Sequence, residues 1–261
     1  MRACRISLLC RIFEIIAVIR NRTRRSSPTH IKGADVASKS SIASSLTDQL
    51  RTAILSGSFA PDSRLRLEEL GASYGVSLSP VREALLRLCG EGFVVSEDQR
   101  GFRVAQASSR NLQEVIALRA ILEPYALRES IEHGDLRWEE SLVAVSHRLT
   151  RIEQMDGFVP FLAEWERAHR EFHLCLVSGC DMPMLQQICG QLHDQADRYR
   201  RLYFTKQPPQ RNVAREHVEI VEAVLARDKD RACNLLLEHT RQTGALVHAF
   251  MSAHDSSQES E

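Results

Sequence analysis

The sequence predicts a mainly α-helical protein, in which a small domain of three helices and a β-hairpin precedes an antiparallel bundle of helices. Three observations support this fold class. Apolar residues recur at helical spacing from residue 42 almost to the end of the chain. Two short β-prone runs, "FVVSE" and "FRVAQ", follow the third helical segment, and no strand signal of any weight comes after them. The 261 residues, 43% of them hydrophobic, are enough for one large packed domain or two ordinary ones.

Charge is unevenly distributed along the chain, although the net charge is zero. Residues 1–40 carry nine Lys and Arg against two Asp and Glu, whereas residues 107–261 carry eighteen against twenty-four. Since no overall positive charge indicates nucleic-acid binding, any DNA binding must come from a local surface. The seven cysteines form no C-x-x-C motif, which indicates reduced thiols in a cytoplasmic protein.

Residues 1–40 are expected to be a basic, disordered extension. Its apolar stretch is interrupted by Arg11 and Glu14, so it is too short and too charged to span a membrane. A signal peptide would need an uninterrupted apolar core and a clean cleavage site. A basic arm that contacts DNA is the functional alternative.

Residues 41–106 contain the three helical segments and the hairpin. "IASSLTDQLRTAILSG" has an apolar stripe that ends at Gly57, "FAPDSRL" predicts a turn, and "RLEELGASYGV" predicts a short helix that stops at Gly75. Ser79 is the expected N-cap of the third helix and Pro80 its first residue. This order is typical of a winged helix-turn-helix, with a generic three-helix module as the alternative.

The start of the third helix is the expected DNA-reading surface. Unpaired backbone N–H groups and the helix dipole attract phosphate there, and such helices enter the major groove by this end. Arg82 is long enough to reach a guanine or a phosphate. Arg100 and Gly101, at the hairpin tip, are expected to lie along the minor groove.

Three segments, "SFAPDSRL", "YGVSLSPVREALLRL" and "GFVVSEDQRGFRV", resemble the winged-helix domain of the GntR family of bacterial transcriptional repressors. Many members have an arginine immediately before the Ser/Thr-Pro pair, where this chain has Leu78. That difference removes one DNA contact and affects the expected operator sequence, not the expected activity. The resemblance implies that the following residues lie at or near DNA: Arg66, Ser79, Pro80, Arg82 and Gly101.

The rest of the chain is expected to be helical. Residues 107–110, "ASSR", are the expected linker, and residues 111–250 contain six helical segments of the lengths that pack as an antiparallel bundle. The polar residues 251–261 are expected to be a disordered tail.

Four histidines fall on the inward faces of three of these segments: His169, His173, His217 and His239. In "AHREFH", His169 and His173 are one turn apart, about 40° around the helix. One histidine on an apolar stripe is more often a satisfied core residue than a ligand. Four neutral imidazoles in a low-dielectric core need partners, and one divalent metal would serve them all. His193, on a further helix, is expected to matter little.

A metal-dependent hydrolase is the alternative function for this cluster. In the zinc-hydrolase motif H-E-x-x-H, the glutamate directly follows the first histidine and activates the metal-bound water. Glu171 lies about 200° around the helix from His169, so it points off the opposite face. We therefore expect a protein that is not an enzyme. A DNA-architectural protein is disfavoured by the acidic second domain.

The second domain is similar to the FCD ligand-sensing domain, through "ALRAILEPYAL", "EFHLCLVSGC" and "REHVEIVEAVLARDKDRACNLLLEHT". In that family an aspartate and three histidines bind a metal inside the bundle. The resemblance places the three histidines at His173, His217 and His239, and the aspartate position is occupied by His169. A four-nitrogen set favours zinc or nickel over manganese. A metal-free site that hydrogen-bonds the effector directly is the alternative.

The effector is expected to be a small carboxylate or dicarboxylate. An open metal position, Arg119, and either Arg198 or Arg201 would contact it. The alternative for Arg119 is a pair with Glu123 on its own helix. "WEESL", "VSGCDMPML" and "DQADRYRRLYF" resemble the branch of the family that senses small dicarboxylates such as glutarate.

These features together predict a cytoplasmic, homodimeric transcriptional repressor that responds to its effector and has no membrane partner. A dimer is required because one recognition helix reads only a few base pairs, whereas two helices on a two-fold axis read palindromic operator DNA.

Overall fold

The computed structural model describes residues 42–97, 100–155, 162–204 and 212–258. The expectations of a disordered extension or a DNA-contacting arm at residues 1–40 lie outside the described residues. The mainly α-helical fold class is confirmed. In chain order the elements are α1 (Ile42–Leu55), β1 (Arg64–Leu65), α2 (Leu67–Tyr74), α3 (Leu78–Gly90), β2 (Val94–Glu97), β3 (Gly101–Val104), α4 (Ser109–His133), α5 (Leu136–Glu153), α6 (Leu162–Val177), a 3-10 turn (Ser178–Cys180), α7 (Pro183–Phe204), α8 (Val213–Leu225) and α9 (Lys229–Gln258).

The first domain is three helices packed on a small antiparallel sheet of strand order β1-β3-β2. The predicted hairpin is present as β2 and β3. The prediction of a simple turn over "FAPDSRL" was wrong, because Arg64 and Leu65 pair with β3, where Leu65 stands opposite Phe102. A two-residue strand is too short to show an alternating pattern in the sequence. Both residues of this pair are buried, so the short strand closes the apolar core of the domain.

The third helix of this domain begins two residues earlier than the sequence analysis expected. Its N-cap is Ser77, in extended conformation, and not Ser79, which is already helical. Pro80 is the third helical residue and not the first. The first four N–H groups of a helix have no partner within it, so proline is tolerated there as well. Leu78 therefore becomes the first residue of α3.

The bundle consists of α4 to α9, around a core that includes Leu127, Leu142, Phe172 and Val224. Helix α4 begins inside the expected linker, since the Ser108 hydroxyl accepts a hydrogen bond from the Asn111 N–H and caps the helix. The five cysteines among the described residues are free thiols. No helix in the described ranges is long and apolar enough to cross a membrane.

The last helix is longer than expected. Helix α9 continues to Gln258, so the prediction that a disordered tail starts at residue 251 was wrong for the backbone of residues 251–258. The polar stretch contains no glycine or proline after Gly244. Serine, histidine and aspartate have only a modest helix penalty, and a long preceding helix supports their continuation.

Candidate functional site

Four buried histidines converge inside the bundle. His169 and His173 lie on α6, His217 on α8 and His239 on α9, and one nitrogen from each lies within 4.8 Å of the other three. The Nε2 atoms of His169 and His173 are 3.2 Å apart. Two nitrogens bound to one tetrahedral zinc are separated by about 3.3 Å, given zinc–nitrogen bonds of about 2.0–2.1 Å. The structure thus brings together all four histidines that the sequence analysis singled out, which we call the histidine cluster.

Two carboxylates hold the outer nitrogens of this cluster. Glu153 Oε1 lies 2.9 Å from His217 Nδ1, and Glu216 Oε2 lies 2.8 Å from His239 Nδ1. A carboxylate accepts the hydrogen bond, so each Nδ1 carries the proton and each Nε2 keeps its lone pair. This is the outer contact that orients metal-binding histidines and raises their basicity. Glu153 is also fixed by Trp165, whose Nε1 donates to Oε1 over 3.1 Å.

Buried atoms without a hydrogen-bond partner show what the cluster could bind. Within the described part of the chain, His217 Nε2, His169 Nδ1 and Glu153 Oε2 have no such partner. A buried polar group left unpaired costs about 1–3 kcal/mol. A divalent cation would give His217 Nε2 a partner and would balance the charge of Glu153. The residues therefore fit a metal ion, and an all-imidazole donor set suits zinc or nickel.

Glu171 does not face the cluster. Its carboxylate pairs with Arg148 of α5, and half of its side chain is exposed to solvent. Glu171 therefore points away from the histidine cluster and is not placed to act as the base of a zinc hydrolase.

Burial keeps the two α6 histidines of the cluster neutral. It lowers the pKa of both His169 and His173 well below the ordinary histidine value. The nearby Arg200 guanidinium lowers the pKa of His169 further, and His193 does the same for His173. Neutral imidazoles present lone pairs, which is the form that a metal requires.

We expect the metal-free protein to lose about 2 kcal/mol of stability between pH 6.5 and 5.5. His169, His173 and His193 have depressed pKa values, so they stay neutral in the folded chain and take up protons once unfolded. Each contributes up to about 1.4 kcal/mol per pH unit below about 6.5. Asp197 opposes them, because burial raises its pKa to about 7 and the folded chain keeps its proton. Urea unfolding in EDTA across this range measures the difference.

The matched variant is His193→Gln, which removes one titrating group and should reduce this acid-dependent loss by about 1 kcal/mol. A stability that is constant or rises on acidification would contradict the assignment of neutral buried histidines.

His193, which is expected to matter little for metal binding, is part of the same polar interior. It lies on α7, its ring centroid is 4.8 Å from that of His173, and Arg119 Nη2 is 3.2 Å from its Nδ1. Because a guanidinium only donates, Nδ1 must accept, and the proton of the neutral ring is on Nε2. That atom lies 3.3 Å from Asp197 Oδ1, although not in full hydrogen-bond alignment. In this tautomer His193 acts as a hydrogen-bond donor beside the cluster. With His169 and Asp197 it also forms a second group of possible metal-ligand atoms that lie within 4.8 Å of one another.

Arg119 lies next to the cluster but is already paired. Its Nε and Nη2 bond the two oxygens of Glu123 at 2.7 and 3.2 Å, and both residues are buried. This is the alternative that the sequence left open. The same Nη2 also contacts His193, so the guanidinium remains at the edge of the interior where an effector would bind.

The arginine of α7 that faces the interior is Arg200, which the sequence analysis missed. It is buried, bonds Glu166 and Asp197, and stacks on Trp165 with its guanidinium carbon 5.1 Å from the ring centroid. Seven residues place Arg200 about 20° from His193 around the helix. That spacing was the signal that could have found it.

The two α7 arginines that were expected to bind the effector are placed differently. Arg198 lies about 140° from His193 around α7 and donates to the Ala105 carbonyl of the first domain, so it points away from the interior in which the effector is expected to bind. Arg201 is partly buried, with its Nε 3.5 Å from Glu166 Oε2, at the edge of the interior.

The outer face of α7 joins the bundle to the first domain. Gln195 donates to the Glu91 carbonyl at the end of α3, and Arg198 to the carbonyl just after β3. Gly92 has φ +76, a conformation that favours glycine, and a Cβ there would lie 2.9 Å from Gln195 Nε2. Tyr199 bonds the start of α4, donating to Asn111 Oδ1 over 2.7 Å. One helix thus touches both the histidine cluster's surroundings and the winged helix.

The expected DNA-contacting residues are on the surface of the first domain. Arg82 is exposed, is the fifth residue of α3 and forms no ion pair with any described residue. Arg66 is exposed and pairs with Glu69 at 2.7 Å. Gly101 has φ +89, a conformation that favours glycine. The remaining expected positions are exposed or partly exposed around the same end of α3 and the turn between β2 and β3: Ser79, Pro80 and Arg100.

Comparison with known proteins agrees with both domains. Residues 42–104 match the model of the bacterial regulatory proteins of the gntR family, and residues 114–242 match the FCD domain. The HTH-type transcriptional regulator BphR of Paraburkholderia xenovorans strain LB400 is 36% identical over 217 residues, which cover 82% of this chain and 89% of BphR. The HTH-type transcriptional repressor GlaR of Escherichia coli strain K12 is 34% identical over 194 residues, covering 73% and 88% of the two chains.

Solved structures show the same fold. Escherichia coli McbR/YncC superposes with a TM-score of 0.69 at 23% identity, covering 80% of this chain and 98% of that one. A GntR regulator from Rhodococcus sp. RHA1 superposes with a TM-score of 0.67 at 21% identity. The chain therefore belongs to the GntR family of bacterial transcriptional regulators, with an FCD domain after its winged helix, and it is not an enzyme.

Proposed function

We propose that this regulator is a cytoplasmic repressor that binds palindromic operator DNA as a homodimer and releases it when a small carboxylate or dicarboxylate enters the FCD domain. The observation that carries the proposal is the convergence of four buried imidazoles whose outer nitrogens are held by carboxylates. The repressor role is favoured by similarity to GlaR, which is named a repressor. The dimer is favoured because a palindrome needs two recognition helices.

The metal ion of this proposal would be held by His169, His173, His217 and His239. Zinc or nickel is favoured by the four nitrogens, and manganese would suit the site less. Held there, the ion would supply a Lewis acid for a carboxylate oxygen of the effector, which would bind in addition to the four imidazoles. The four ligands themselves are neutral, and the carboxylates of Glu153 and Glu216 that hold two of them offset part of the charge of the ion. The preference for an anionic effector therefore rests on the ion together with the nearby arginines.

Positively charged side chains would hold the rest of the effector. Arg119 and Arg201 lie at the edge of the interior, and Arg200 contributes a buried positive charge. Arg119 and Arg200 are each compensated by buried carboxylates, Glu123 for the first and Glu166 with Asp197 for the second. An entering dicarboxylate would compete with these internal carboxylates. That competition gives the effector a means to rearrange α4 and α7.

Helix α7 is the proposed route from the effector to the DNA-binding domain. Its inner face carries His193 and Arg200, and its outer face holds the first domain through Gln195 and Arg198. A shift or rotation of α7 on effector binding would move the carbonyls at the ends of α3 and β3. Because the operator requires two correctly spaced recognition helices, a small reorientation lowers operator affinity.

Reciprocity between the two ligands tests this mechanism. We expect saturating operator DNA to lower effector affinity by the factor, about 5–150-fold, by which the effector lowers operator affinity. Isothermal titration with a panel of dicarboxylates that includes glutarate, with and without operator, measures both factors. Gln195→Ala with Arg198→Ala should reduce the factor while effector affinity without DNA is retained.

The matched control is Arg215→Ala, which removes an exposed ion pair to Glu219 on α8 and should leave the factor unchanged. Equal effector affinity with and without saturating operator would exclude coupling between the two domains.

A further inference from the structure

Leu78 exposes apolar surface to solvent outside the core of the domain. It is the first residue of α3 and is 47% exposed. Its Cδ2 lies 3.6 Å from the point at which a Cβ would stand on the buried Gly71, so one methyl rests on α2. The rest of the side chain faces solvent between Ser77 and Ser79, which are also exposed. Half of a leucine is thus left for an outside contact.

The position of Leu78 indicates what that contact is. Arg82 lies four positions farther along the helix, so the two side chains are about 40° apart on one side of it. Farther along α3, Glu83 and Arg87 are paired with each other at 2.6 Å. The unpaired arginine and the exposed leucine are therefore together at the N-terminal end. In helix-turn-helix domains this end contacts the edges of bases in the major groove.

We propose that Leu78 is a specificity-determining residue that contacts the C5-methyl group of a thymine in each operator half-site. A leucine side chain offers no hydrogen bond, and among base edges in the major groove only thymine presents an apolar group. Any other base would place a polar edge against the leucine. That edge would lose its water, and the leucine cannot form a hydrogen bond that replaces it. The inference rests on the proposed docking of α3 and adds the base that the helix selects.

Removal of single methyl groups from the DNA tests the contact. The full-length protein first selects its preferred duplexes from a randomised pool. Each thymine of the selected duplex is then replaced by deoxyuridine, which lacks only the methyl group. At one symmetry-related pair of thymines, we expect wild-type affinity to fall about fourfold per half-site, and about 15-fold for both, as for loss of one buried methyl group. Leu78→Ala should bind the two duplexes with nearly equal affinity.

Two further variants make the test specific. Leu86→Ala removes another exposed leucine, two turns farther along α3, and should keep the wild-type sensitivity to the methyl group. Leu78→Arg should select guanine near the same position, since arginine bonds both acceptors of guanine. Because both leucines are half-exposed, we expect each variant to remain folded, and a thermal melt checks this.

The outcomes separate this inference from the docking on which it rests. If no thymine replacement weakens wild-type binding, or if the same thymine matters equally in Leu78→Ala, the methyl contact is wrong. If Arg82→Ala also binds as the wild type does, α3 is not at the DNA and the docking fails as well. If Arg82→Ala weakens operator binding but no thymine replacement does, the role of Leu78 is wrong and the docking of α3 stands.

Discussion

His217→Ala should abolish stoichiometric metal binding, with affinity reduced more than a hundredfold. The cluster joins α6, α8 and α9, so a ligand lost from α8 removes one of the three helices from the ion. The substitution also removes a hydrogen-bond donor from Glu153. Its buried Oε1 would lose the His217 N–H and keep only the hydrogen bond from Trp165 Nε1. A buried carboxylate without its partners is strongly unfavourable. Elemental analysis of untagged protein, purified without chelator, measures the metal content of both proteins.

Stability provides a second measure of the same prediction. A ligand present at a hundred times its Kd stabilises the folded state by about 2.7 kcal/mol. Zinc or nickel should therefore raise the melting temperature of the wild type and leave that of His217→Ala unchanged. His147→Ala, which removes an exposed histidine on α5, is the control and should behave as the wild type. A wild-type metal stoichiometry near zero, with no thermal shift on addition of zinc, nickel or manganese, would contradict the metal site. The cluster would then be a metal-free pocket that hydrogen-bonds the effector directly.

Substitutions that keep the shape of the cluster refine the test. Glu153→Gln and Glu216→Gln remove the outer carboxylates while retaining an acceptor, and comparable changes lower metal affinity about 10–100-fold. His169→Asp should retain a metal and shift the preference toward harder ions such as manganese, because an oxygen ligand replaces a nitrogen.

Most of the fold followed from apolar periodicity. The helical segments of both domains were visible because a buried helix face repeats every three to four residues. The two-residue strand β1 was missed because it is too short for any period. The start of α3 was displaced because Pro80 was assigned to the first helical position, although the third also lacks a backbone partner.

Apolar periodicity predicted the histidine cluster but could not predict much of its surroundings. Each of the four histidines sits on an apolar stripe, so the sequence places it inside. The inner face of α7 is instead made of polar residues, His193, Asp197 and Arg200, which a periodicity argument assigns to solvent. Glu153 reaches a histidine 64 residues away, a contact without any local pattern. Buried ion pairs of this kind become visible only once the helices are packed.

Arg82→Ala should weaken operator binding by about 1–3 kcal/mol per half-site, and therefore by about 2–6 kcal/mol for the proposed dimer. The side chain is exposed, one turn after the start of α3, and has no ion-pair partner in the described ranges, so its removal should not destabilise the fold. Titration of a palindromic site from the region upstream of the gene measures the loss. Arg215→Ala, on the surface of the bundle, is the control. A folded Arg82→Ala protein that binds as tightly as the wild type would contradict the assignment of α3.

The salt dependence of the same titration distinguishes the two contacts open to Arg82. A phosphate contact releases condensed counterions, so its loss lowers the slope of log affinity against log salt by about one per contact and weakens all sequences equally. A guanine contact leaves that slope almost unchanged and removes discrimination at one base pair. Leu78 beside Arg82 argues for the second outcome, because an aliphatic side chain makes a useful contact only at the base edges. We therefore expect Arg82→Ala to bind non-specific DNA nearly as the wild type does while losing its preference for the operator.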